Sequence, residues 1–149
     1  MATGVQTTAG ATLGVSASLP ATEDAAGYGA LTLTDVAEIT DFGSFGKEYN
    51  EVTFNPVADR KTYKFKGSYN QGSLTISLGR NLTDAGQALL QTALDDDADY
   101  AFGLTLQDGE VLYLQGKVMS FTTEVGGADT IVSGSVMIGI NSDIVSVAP

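Results

Sequence analysis

Hydrophobic and polar positions alternate along most of this chain, the signature of strands that bury one face. Ala11 to Leu19 alternates weakly, with Leu13, Val15, Ala17 and Leu19 on one side. Leu31 to Thr40 predicts a second strand with a break near Asp35. Lys61 to Gly67 sets Tyr63 and Phe65 against Thr62, Lys64 and Lys66, and Ser73 to Gly79 sets Leu74, Ile76 and Leu78 against Ser73, Thr75 and Ser77. With Ser68 to Gly72 as a turn, these two runs are expected to form a hairpin. Tyr100 to Leu106 and Glu110 to Gly116 flank Asp108-Gly109, a hairpin signal because both central residues of a type I′ turn need positive φ. Lys117 to Glu124 continues as strand, Val125 to Asp129 turns, and Thr130 to Ile140 is a last long strand.

Helical spacing occurs once. From Leu82 to Leu94, Leu82, Ala85, Leu89 and Ala93 form an apolar stripe, with Leu90 and Leu94 beside them. Asn81 or Thr83 is the expected N-cap, and Asp95 to Asp97 disfavour the negative C-terminus and so stop the helix. Gly86 inside it lowers helix propensity by about 1 kcal/mol relative to Ala. The expected fold is mainly β: an antiparallel sandwich or barrel of seven or eight strands with one flanking helix. Its 149 residues suit one domain, with residues 1–10 as an N-terminal arm and 141–149 as a C-terminal tail.

One stretch resists both periods. Asp41 to Arg60 (DFGSFGKEYNEVTFNPVADR) reads as a long loop, with a short strand possible only over Glu51 to Phe54. A compact domain rarely contains a structureless loop of this length unless it is functional or disordered. A fully solvated loop has no use for Phe42, Phe45, Tyr49 and Phe54.

Composition narrows the chemistry. The chain has no Cys and no His, which excludes disulfides, thiolate and imidazole metal sites, and the Ser-His-Asp and Cys-His catalytic arrangements. Asp95 to Asp99 lacks the Gly and Glu that an EF-hand loop requires, since Tyr100 and Leu106 stand there. Gly43 to Lys47 has two residues between its glycines, not the four of a phosphate loop. Asn81-Leu82-Thr83 matches a glycosylation sequon and is better read as a helix cap. No carboxylate pair can be set across a cleft from spacing alone. No enzyme activity, metal or cofactor is therefore expected. Seven basic and eighteen acidic residues give a net charge of −11, which opposes a firm grip on nucleic acid. Arg60, Lys61, Lys64 and Lys66 are the exception: either a wet strand face or a contact with the acidic excess of a neighbouring subunit. The N-terminus lacks a basic region followed by an apolar run, and no run reaches membrane-spanning length, so neither secretion nor membrane insertion is expected.

The order of ATLGVSAS, AGYGALTLTDVAEITDFGSFGKEYNEV, KTYKFKGSYNQGSLTISLG, DAGQALLQTAL and YAFGLTLQDGEVLYLQGKVMSF resembles the major tail tube proteins of long, non-contractile-tailed bacteriophages. The resemblance spans nearly the whole chain and has no catalytic motif. It implies a virion protein, assembled in the host cytoplasm, whose hexameric rings stack into a hollow tube that conducts DNA without binding it specifically. It implies tape-measure, tail-tip and terminator proteins as partners. It further implies that the long loop, the arm and the tail mediate ring-to-ring contacts. Phe42, Phe45, Tyr49 and Phe54 then become stacking anchors, and Arg60, Lys64 and Lys66 an inter-subunit or lumen-facing set. Competing readings are a capsid decoration protein, a tail terminator, a secretion-tube subunit or a small-ligand-binding β-barrel. Oligomer shape separates the first three, and apolar ligand binding separates the last.

Overall fold

The computed structural model of the protein describes residues 5–149. In chain order the elements are β1 (Thr12–Ser16), α1 (Ala25–Gly29), β2 (Thr34–Val36), β3 (Ile39–Asp41), β4 (Glu48–Phe54), β5 (Tyr63–Asn70), β6 (Ser73–Gly79), α2 (Ala85–Leu94), β7 (Tyr100–Thr105), β8 (Val111–Glu124), β9 (Ser133–Ile140) and β10 (Val145–Val147). The fold is mainly β and antiparallel with a flanking helix, as the patterning predicts.

Eight strands form one sheet in the order β2-β1-β7-β8-β9-β6-β3, with β10 added to β8. Its two edges, β2 and β3, are consecutive in the chain and separated only by Ala37 and Glu38. The segment expected to be one strand is thus two, and it links opposite edges of the sheet. No ladder joins those edges, so the sheet curls without closing into a barrel. Glu38 sits at φ 66°, a left-handed conformation unusual for a residue with a side chain. Helix α2 staples the gap. The fully buried Gln87 donates from Nε2 to Ala37 O (2.9 Å) and Gly79 O (3.0 Å), and its Oε1 accepts from Asn81 N–H (2.8 Å). The Asp84 carboxylate accepts from Ala37 N–H and from Gln87 N–H, both at 3.1 Å. Asp84, not Asn81 or Thr83, is therefore the N-cap, because only it serves the helix and the sheet edge together. Leu82 lies outside the helix and is 40% exposed. Gly86 has a packing reason: a Cβ there would lie 2.2 Å from Asp35 O.

The core lies on the concave side. Leu13 and Val15 of β1, Leu74, Ile76 and Leu78 of β6, Phe102 of β7, Val136 and Ile138 of β9 and Leu90 of α2 are all at 0% exposure. Over β1, β7 and β8 the opposite face is covered too. Tyr28 of α1 stacks on Tyr113 at 4.9 Å with rings 7° from parallel. Leu33 packs over Gly14 and Gly103, which explains why β7 is buried at nearly every position. The β7–β8 connection differs in detail from the expected type I′ turn. Leu106 N–H donates to Glu110 O and only Gly109 has positive φ (99°), as in a three-residue loop ending in a left-handed glycine.

Two expected loops are ordered by pairing. Residues 145–147 of the supposed tail form β10, and Gln115 N–H donates to Ser142 Oγ at 2.8 Å. The long loop is strand over Glu48–Phe54, paired with β5. The expected β5–β6 hairpin does not form: β5 pairs with β4, and β6 lies between β9 and β3. Gly72 N–H donates to Asn70 Oδ1 (2.8 Å), an Asx turn that swings the chain from one sheet into the other. Within the supposed arm, residues 1–4 lie outside the described residues, while Gln6 Oε1 accepts from Asp108 N–H at 3.0 Å.

Candidate assembly surface

β4 and β5 form a two-stranded ribbon apart from the main sheet. The register pairs Phe54 with Tyr63, Thr53 with Lys64, Val52 with Phe65 and Glu51 with Lys66, then shifts by one residue before pairing Tyr49 with Tyr69. Residues directly opposite share a face. One face therefore carries Val52, Phe54, Tyr63 and Phe65; the other carries Glu51, Thr53, Lys64, Lys66, Tyr49 and Tyr69. Every position of β4 is exposed, and of β5 only Gly67 is less than exposed. Neither face is thus covered by the body of the molecule. Val52 is 50% exposed, Phe54 58% and Phe65 57%. A lone two-stranded ribbon in water is marginal, and a contiguous exposed apolar face marks an interaction site.

The polar face secures the base of the ribbon. Tyr49 and Tyr69 rings meet at 5.4 Å, with Lys47 Nζ 4.4 Å from the Tyr69 centroid and Lys66 Nζ 4.9 Å from that of Tyr49. Lys47 also lies 3.9 Å from Asp143, whose Oδ1 accepts from Gln71 Nε2 at 2.7 Å. Lys64 pairs with Glu51 at 3.4 Å, an exposed ion pair of little energetic consequence. At the far end, the Tyr63 hydroxyl donates to Asp59 (2.8 Å), and this hydrogen bond raises the phenol pKa above its ordinary value.

The four aromatics singled out in the sequence divide in two. Phe42 and Phe45 are half-buried and pack against the protein's own core. Tyr49 and Phe54 lie on the ribbon, on opposite faces. Lys64 and Lys66 share the Tyr49 face, and Arg60 lies in the tip between the strands, at φ 55°. All three are on the ribbon and off the main sheet. Val52, Tyr63 and Phe65 belong to the apolar face; alternation had set Tyr63 and Phe65 on one side of their strand, but with β6 as the expected partner, and Val52 was not singled out. Their signal was the alternation of KTYKFKG together with that of VTF; Tyr49, on the opposite face of β4, breaks the apolar alternation of EYNEVTF.

Charge divides along the same line. Residues 47–70 hold five of the seven basic residues (Lys47, Arg60, Lys61, Lys64, Lys66) and three acids (Glu48, Glu51, Asp59), a net +2. The rest of the chain holds two basic residues and fifteen acids, a net −13. Of the two, Lys117 is engaged: it reaches Asp99 at 2.7 Å and Asp97 O at 2.8 Å, and with Asn141 it holds the Asp99 carboxyl below its ordinary pKa. Asp96 accepts from Ala98 N–H and Tyr100 OH, so the Asp95–Asp99 run is a hydrogen-bonded helix stop. No group of residues able to hold a metal ion occurs among the described residues.

The main sheet has its own polar face. Ser73, Thr75 and Ser77 of β6 pair across to Gly139, Met137 and Ser135 of β9, and Ser135 pairs to Thr122 of β8. This hydroxyl-rich surface, not the lysine strand, is the exposed polar face of the sheet body.

No family model and no curated relative matches the sequence. Solved structures do match in shape. A chain of the anti-feeding prophage baseplate, solved with sixfold symmetrisation, superposes with a TM-score of 0.71 at 9% identity, covering 99% of this chain and 98% of that one. A chain from the sheath/tube terminator of an extracellular contractile injection system gives 0.69 at 9% identity over 99% and 100%. A chain from the tail of a GTA particle with C6 helical symmetry gives 0.64 at 14% identity over 91% and 96%. The protein has the fold of tail and injection-system components. These neighbours come from contractile systems and a particle tail, a wider group than the non-contractile tail tubes that the sequence resembles.

Proposed function

We propose that this chain is a structural subunit of a phage-type tail, built into hexameric rings that stack as the tube through which DNA passes. The carrying observation is the β4–β5 ribbon: an apolar face left open by its own fold on a molecule shaped like components of sixfold tail assemblies. Strand β4 of the ribbon lies within the segment read as a stacking loop; the ribbon's apolar face joins Phe54 to Val52, Tyr63 and Phe65, and Tyr49 lies on the opposite face. Phe42 and Phe45 anchor its approach to the core. The hydroxyl-rich face of β6, β9 and β8 suits a wall past which a phosphate backbone slides, since it offers no cluster of cations to hold it. On this reading the protein is not an enzyme, resides in the virion after assembly in the host cytoplasm, and meets tape-measure, tail-tip and terminator proteins at the tube ends.

Negative-stain electron microscopy of the purified chain, dilute and concentrated, tests this. Hollow tubes with sixfold end views are expected, and particles that never exceed a monomer at any concentration would defeat it. A second reading, a ring that caps or joins a tube, is favoured by the fuller superposition on the baseplate and terminator chains. Discrete rings that never stack distinguish it.

A further inference from the structure

A second exposed apolar patch lies beside the end of β6 away from the ribbon. β6 begins at Ser73, just after the ribbon, and Ser73 pairs with Gly139, which pairs with Lys117. β6 ends at Gly79, which pairs with Ser133, itself paired with Glu124. The connection between β8 and β9 therefore emerges opposite the ribbon, about 20 Å away at roughly 3.3 Å per strand residue. In that connection and its flank, Val125 is 61% exposed, Ile131 78% and Val132 39%. The turn carries Glu124 and Asp129 and no basic residue; Arg80, whose N–H donates to Val132 O, is a nearby cation. The ribbon, by contrast, carries net +2, with Arg60 and Lys61 at its tip.

We propose that the β8–β9 turn of one copy seats on the apolar face of the β4–β5 ribbon of the next. Val125 and Ile131 then cover Phe54 and Phe65, and Glu124 and Asp129 face Arg60 and Lys61. The occupant is a second copy of this chain because the two patches are complementary in charge, both apolar, and placed beside opposite ends of β6. Two different surfaces meeting head to tail generate a ring or a filament, not a closed twofold dimer. Such a contact is too small to hold two copies alone and becomes effective when repeated around a ring. The inference rests on the tube reading and specifies which surfaces stack.

The chain has no cysteine, so crosslinking can be placed at will. Full-length Val52→Cys and Ile131→Cys proteins are mixed at equal concentration, assembled, and treated with a short bis-maleimide. A covalent heterodimer is expected at least tenfold above that from a mixture of Val52→Cys and Leu19→Cys, whose Leu19 is 47% exposed and outside both patches. If Val52→Cys itself prevents assembly, Val57→Cys at the ribbon tip (97% exposed) takes its place. In parallel, Arg60→Glu with Lys61→Glu is expected to raise the concentration needed for assembly about tenfold, and adding Glu124→Lys with Asp129→Lys in the same chain to restore it. Rings or tubes that form with no crosslink above the Leu19 control overturn this pairing and leave the tube reading standing. Absence of any assembly by the unmodified chain overturns both.

Discussion

β5 and β6 are neighbours in sequence, separated by Gln71 and Gly72, and both alternate cleanly. In β6 the alternation ends in a core: Leu74, Ile76 and Leu78 are fully buried. In β5 it ends in solvent, with Tyr63 at 36% exposure and Phe65 at 57%. The same pattern has opposite fates because alternation specifies that one face seeks burial and says nothing of what will bury it. For β6 the covering surface comes from its own chain. Among the described residues β5 pairs with β4 alone, whose matching apolar face doubles the exposed area and covers none of it. On the proposed reading, a strand pair that fails to satisfy its own pattern is half of an interface.

That contrast predicts opposite responses to substitution. The largest effect should fall on assembly: Phe54→Ser with Phe65→Ser is expected to abolish rings and tubes by electron microscopy. The monomer should melt normally, because exposed positions contribute within about 0.5 kcal/mol. A matching loss of monomer stability would erase the distinction between the two strands. Ile76→Ala should do the reverse within the monomer, costing about 2–5 kcal/mol by urea denaturation through lost burial and a residual cavity.

Gln87→Ala probes the edge staple. It removes the partners of Ala37 O, Gly79 O and Asn81 N–H, all partly buried, and each group so stranded costs up to about 1–3 kcal/mol. Amide exchange should show the link between β2 and β3 opening before the rest of the sheet. Uniform opening would mean that the ladders alone hold the curl.

The smallest effect concerns pH. The Asp99 carboxyl has its pKa lowered by Lys117, despite some opposing burial. Its stabilising contribution is present above the ordinary carboxyl value of 3.8 and is lost as pH falls through the lower folded-state value. Asp99→Asn should therefore lower stability slightly at neutral pH and flatten the acid limb of the melting curve. An unchanged acid limb would show that the Lys117–Asp99 contact has no energetic weight.

Much of the fold was legible because short-range chemistry decides it. The strands of β6, β7, β8 and β9 follow from period-two alternation, and α2 follows from its apolar stripe. The cap was misplaced onto Asn81 or Thr83 because the choice of Asp84 depends on Ala37 N–H, a partner 47 residues away. The ribbon was half-read: Tyr49 and Phe54 were identified, and Tyr63 and Phe65 were set on one face of a strand whose expected partner was β6, not β4, while Val52 was not singled out. Tyr49 lies on the opposite face of β4 from Val52 and Phe54, so EYNEVTF shows no clean alternation, the extra residue of the ladder falls in β5 between Lys66 and Tyr69, and the Asx turn at Asn70 resembles a hairpin turn in sequence alone.

By itself, then, the sequence determined that this is a cysteine- and histidine-free, acidic, mainly β chain with one amphipathic helix, since composition and local periodicity need no third dimension. Only the tertiary structure decided which strands pair: that Leu31 to Thr40 spans two sheet edges, that residues 145–147 dock on β8, and that β4 leaves the supposed loop to join β5. Pairing depends on long-range geometry, because any alternating strand can hydrogen-bond to any other and only the packed core selects among the registers. The same selection leaves the ribbon's apolar face uncovered among the described residues, a fact invisible until every other face has been accounted for.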